Sequence, residues 1–87
     1  MITVGYTPAF IRQYKKLPED LQTEVKEKIA LFQKNPRDPS LKFHKLKGRL
    51  KKYWSFSVNY SFRIIVEEEN AADTYALLVV GDHDIYK

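Results

Sequence analysis

Cysteine is absent from the 87-residue sequence, which excludes a disulfide framework and any zinc site built on thiolates. That fits a reducing compartment. Glycine is scarce: Gly5, Gly48 and Gly81 stand far apart, so neither a glycine-rich phosphate loop nor a Gly-x-Ser-x-Gly elbow can form. Long apolar runs are missing as well, and none approaches the roughly 18 residues that a membrane span needs. Met1 to Thr7 lacks a charged start followed by an apolar run, so no secretory signal is expected there. His83, between Asp82 and Asp84, has no partner at helical spacing, so neither a metal nor a cofactor is expected. The expectation is a soluble, cytoplasmic chain without a membrane partner. Its length allows a single domain over residues 1–87, with one thin core.

What is present is charge in an uneven pattern. The formal net charge is +4. Lys42, Lys45, Lys47, Arg49, Lys51 and Lys52 crowd one segment together with His44, and no acid interrupts them. The acids gather at Glu19 and Asp20, at Glu67 to Glu69, and at Asp82 and Asp84. A concentrated basic segment is the footprint of phosphate contact, although a solvated lysine-rich loop gives the same pattern.

Periodicity divides the chain. Ile2, Val4 and Tyr6 alternate as a short strand. Thr7 followed by Pro8 is a helix start, with a hydroxyl cap before proline at the first helical position. Phe10, Tyr14 and Leu17 follow at helical spacing. Pro18 restarts the helix, and Leu21, Val25, Ile29 and Phe32 form the apolar stripe of a second, amphipathic one. Asn35 to Ser40 carries Pro36 and Pro39 and reads as a loop. The period then falls to two, from Leu41 and Phe43 onward. Strands are expected at Tyr53 to Val58, Phe62 to Val66 and Thr74 to Val80, the last one interior and ended by Gly81. A strand, two helices and a run of strands joined by short turns make an α+β fold, two N-terminal helices on an antiparallel sheet.

The chain has only two histidines, His44 and His83. Arg63 stands within the apolar run Phe62 to Val66, where a charge must be wet or paired. It either meets one of Glu67 to Glu69 or faces outward. Cutting RNA without a metal requires a proton taken from the 2′-hydroxyl, a proton given to the leaving 5′-oxygen, and fixed cations for the phosphorane. Imidazole suits the proton transfers, and arginine or lysine suits the charge. An aromatic ring can stack on a splayed base. His44, His83, Arg63, Lys45, Lys47 and Tyr86 supply these types.

Four segments taken together resemble the RelE/ParE toxin superfamily: FIRQYKKLP at Phe10 to Pro18, NPRDPSLKFHKLKG at Asn35 to Gly48, YWSFSVNYSFRIIVE at Tyr53 to Glu67, and LLVVGDHDIYK at Leu77 to Lys87. The resemblance spans almost the whole chain. It implies two helices on a curved antiparallel sheet, and an acidic antitoxin encoded beside the chain as partner. RNA-cutting members act on messenger RNA in the ribosomal decoding site without a metal and leave a 2′,3′-cyclic phosphate. By that resemblance Arg63 falls where such members keep a phosphate-stabilising arginine. Lys45 and Lys47 fall where some carry further cations. His44 resembles the histidine of a histidine-dependent branch, and His83 and Tyr86 lie where members place a catalytic histidine or tyrosine. Here the tail histidine and tyrosine stand three apart instead of adjacent, and the sequence does not divide acid from base between the histidines. ParE-like members poison DNA gyrase instead, so a toxin that binds gyrase or another protein is the alternative.

Overall fold

The computed structural model describes residues 1–82. In chain order these are strand β1 (Thr3–Tyr6), helices α1 (Pro8–Lys15) and α2 (Glu19–Lys34), and strands β2 (His44–Lys45), β3 (Tyr53–Ser57), β4 (Phe62–Glu68) and β5 (Thr74–Asp82). Short 3-10 turns occupy Pro39–Leu41 and Gly48–Leu50. The strands form one sheet in the order β1-β5-β4-β3-β2. β2 to β5 pair as an antiparallel meander, as expected. β1 differs: it joins the sheet parallel to β5, so the sheet is mixed. The reason is connectivity. Two helices follow β1, no hairpin turn forces it antiparallel, and it docks at the far edge.

The core lies between the helices and one face of the sheet. Phe10 of α1 and Val25, Ile29 and Phe32 of α2 are buried against Phe56, Val58, Ile64, Val66, Leu77 and Val80. Phe32 stacks on Phe56 with ring centroids 4.5 Å apart. Alternation along β3 and β4 sends Ser55, Ser57, Arg63, Ile65 and Glu67 to the face away from the helices.

One register shift in β5 serves both the core and α1. Leu77 pairs with Val66 and Val79 with Ile65, leaving Leu78 as an extra residue. The bulge lets Leu77 and Val80 both reach the core although three positions separate them. Such a bulge disturbs the ladder, and α1 meets backbone groups there. The Thr7 hydroxyl lies 3.0 and 2.9 Å from the carbonyl oxygens of Leu77 and Leu78, sharing its proton between them. The same oxygen accepts from the Phe10 N–H at 3.1 Å, capping α1 as the Thr7–Pro8 pair predicts. The Val80 N–H donates to Gln13 Oε1 at 2.9 Å. Thr7→Ala should therefore lose about 1–2 kcal/mol, the upper range for a cap, because the hydroxyl also serves the bulge. A urea titration should show a lower midpoint with an unchanged slope, and Thr7→Ser should recover most of the loss.

Two further segments depart from the sequence expectation. Gly81 does not end β5: it pairs with Arg63 and Asp82 pairs with Phe62, so the ladder carries the strand on. The period-two reading from Leu41 gives way to a 3-10 turn that buries Leu41, and Lys42 takes a left-handed φ of 48° that resets the chain direction. Only His44 and Lys45 remain as strand. No helix among the described residues is long and apolar enough to cross a membrane.

Candidate functional site

Arg63 sits near the start of β4, half-buried, with Ser57 on one side and Gly81 on the other. It does not reach the acids that follow it. Its Nη1 donates to the carbonyl oxygens of Asn59, Tyr60 and Phe62 at 2.6, 3.1 and 3.0 Å. The guanidinium thus closes the β3–β4 turn from one side. Asn59 closes it from the other: its Oδ1 accepts from the N–H groups of Ser61 and Phe62, both at 2.9 Å, an Asx turn. Asn59 Nδ2 in turn donates to Glu24 Oε1 of α2 at 3.1 Å. The arginine head is held by a turn that is itself tied to a helix. Arginine has five N–H donors in a fixed fork, so a head anchored through Nη1 keeps a preset direction.

His44 lies on β2 and is exposed. Its Nδ1 is 2.8 Å from the carbonyl oxygen of Lys42. A carbonyl only accepts, so Nδ1 carries a proton in this contact, and Nε2 is the ring nitrogen left outside it. The left-handed turn at Lys42 aims that carbonyl. Register places His44 and Arg63 on one face: His44 pairs with Ser55, Arg63 pairs with Ser57, and the two serines are a period apart on β3. Sheet spacings put the two Cα atoms roughly 12 Å apart, and the Arg63 head turns toward Asn59 and Tyr60, at the end of β3 away from Ser55.

The basic segment does not lie on that face as a block. Lys45 pairs with Trp54 on the helix side, and its amine stands 6.0 Å from the Trp54 ring. Lys52 is 3.8 Å from Glu67 and lies over Tyr53 at 5.3 Å. Lys42, Lys47, Arg49 and Lys51 are exposed. His83 and Tyr86 lie outside the described residues. Among the described residues no group of three His, Cys, Asp or Glu side chains could share a metal ion. Sequence reasoning read Asn59 to Ser61 only as a turn and missed the support that Asn59 and Glu24 give to Arg63. The asparagine opening that turn was the available signal.

No protein-family model matches the sequence, and no curated protein matches it. Solved structures do match. YafQ from E. coli superposes with a TM-score of 0.77 at 17% identity, over 99% of this chain and 98% of that one. This is the fold of the RelE/ParE-type toxins. A YoeB/ParE toxin from Agrobacterium tumefaciens gives 0.76 at 15% identity, covering 94% of this chain and 99% of that one. The toxin–antitoxin complex RelBE2 from Mycobacterium tuberculosis gives 0.68 at 20% identity, covering 93% and 96%. The likeness to RelE-like toxin structures in fold thus extends over more than nine-tenths of the chain.

Proposed function

We propose that this chain is the toxin of a type II toxin–antitoxin pair and acts as a ribosome-dependent messenger-RNA endonuclease. The observation that carries the reading is the placement of His44 and Arg63 on one face of the sheet, the imidazole presenting Nε2 and the guanidinium held in a fixed direction. A base removes the proton of a 2′-hydroxyl, the oxygen attacks the adjacent phosphorus, and Arg63 steadies the charge of the phosphorane. The bond to the 5′-oxygen breaks, that oxygen takes a proton, and the products are a 2′,3′-cyclic phosphate and a 5′-hydroxyl end. His83 transfers a proton and Tyr86 positions the substrate or stacks on a base, roles taken from the resemblance. His44 is the further proton-transfer group. Lys42, Lys45, Lys47, Arg49, Lys51 and Lys52 meet RNA phosphates, and the same exposed cations suit an acidic antitoxin.

The test is induction of the chain in growing cells, followed by mapping of messenger-RNA 5′ ends. New 5′-hydroxyl ends within translated codons should appear with the natural sequence and vanish with Arg63→Ala. Growth arrest with intact messages and blocked gyrase would establish the protein-binding alternative instead.

A further inference from the structure

On the helix side of the sheet, away from Arg63, a cavity of about 420 Å³ opens beside the short β2 edge. Its volume is in the range of ordinary small-molecule sites. Its floor is aromatic. Phe43 and Trp54 stack with centroids 4.8 Å apart and planes 23° apart, and Tyr75 meets Phe43 edge-on at 5.9 Å. The indole is fixed on its outer edge, where Nε1 donates to Glu68 Oε1 at 3.2 Å. Lys34 and Arg37, from the end of α2 and the loop after it, line the mouth, and Lys45 stands over Trp54. Asp73 supplies an acceptor in the wall, and so does the Gln33 Oε1, the Gln33 Nε2 already donating to the Ile2 carbonyl oxygen at 3.0 Å.

An aromatic lining held by its own stacking favours a flat aromatic ligand packed at its open edge, and cations in the same lining favour a ligand that carries an anion at its side. A base joined to a phosphate has both. The wall acceptors suit exocyclic amino groups. We propose that this cavity is a nucleotide pocket, taking one base and its phosphate from single-stranded RNA at a position other than the cleaved bond. Its position supports a strand as the source. β2 shows His44 on one face and Lys45 on the other, so RNA that wraps this two-residue edge passes from the Arg63 face into the pocket. The inference does not rest on cleavage, since binding here needs none of the residues on the other face.

Trp54 is the only tryptophan, so its fluorescence reports the pocket directly. The probes are adenosine 5′-monophosphate, inorganic phosphate, and a short single-stranded 2′-O-methyl RNA, which cannot be cut by 2′-hydroxyl attack. Saturable quenching is expected with the RNA and, more weakly, with the monophosphate, and none with phosphate. Lys34→Ala with Arg37→Ala should weaken it about tenfold, the scale of one charge-assisted contact. Lys26→Ala, an exposed cation of α2 outside this lining, should leave the quenching by monophosphate unchanged. Circular dichroism confirms that these surface variants fold. Absence of quenching, equal quenching by phosphate alone, binding of monophosphate with exclusion of RNA, or indifference to Lys34 and Arg37 would each overturn the pocket.

Discussion

Arg63→Ala should lower single-turnover cleavage of ribosome-bound message by on the order of 10²-fold or more, the loss expected for one preorganised donor to a developing anion. Arg63 also donates to three carbonyl oxygens of the β3–β4 turn, so the variant should lose about 1–2 kcal/mol of stability besides. Two further variants separate the effects. Asn59→Ala loosens the same turn from its other side while leaving the guanidinium in place, so stability should fall with a much smaller loss of cleavage. Arg63→Lys keeps a charge but not the planar fork, and its activity should lie between that of the natural chain and that of Arg63→Ala. Equal cleavage losses in Asn59→Ala and Arg63→Ala would reduce Arg63 to a turn residue.

His83→Gln should cost roughly 10² to 10⁴ in the same assay, the usual range for a general acid or base. His44→Gln decides how the second proton moves. A loss as large as that for His83 means a two-histidine reaction, with the Nε2 of His44 acting on the substrate. A loss below about tenfold assigns His44 to phosphate binding and leaves the second transfer to a lysine, a carboxylate or the ribosome. Full toxicity of both His83→Gln and Arg63→Ala in cells would favour the protein-binding alternative. Antitoxin binding should survive in all three variants, which shows that they are folded.

Local signals are legible because single residues carry them. Thr7–Pro8 caps α1 as written, and the Val25, Ile29 and Phe32 stripe is the buried face of α2. Features that depend on distant residues were not legible. Nothing near Ile2 to Tyr6 says that this strand runs parallel to one ending at Asp82. Nothing near Gly81 says that Arg63 will hold it in the ladder. The mid-strand charge of Arg63 signalled a special position, yet the answer lay in backbone carbonyls, which are the same in every sequence. The basic segment looked uniform in composition, while strand alternation sends His44 and Lys45 to opposite faces.

The pairing of β1 with β5 brings Thr3 beside Thr74 and Tyr6 beside Leu77, joining the two ends of the described chain. Contacts of such long sequence separation close late, because the loop entropy is lost before they form. During synthesis the β3–β4 hairpin can form from neighbours in sequence, but β1 has no partner until β5 has been made. A chain that stops before Thr74 lacks an interior strand and leaves the core around Phe32 and Ile64 partly uncovered.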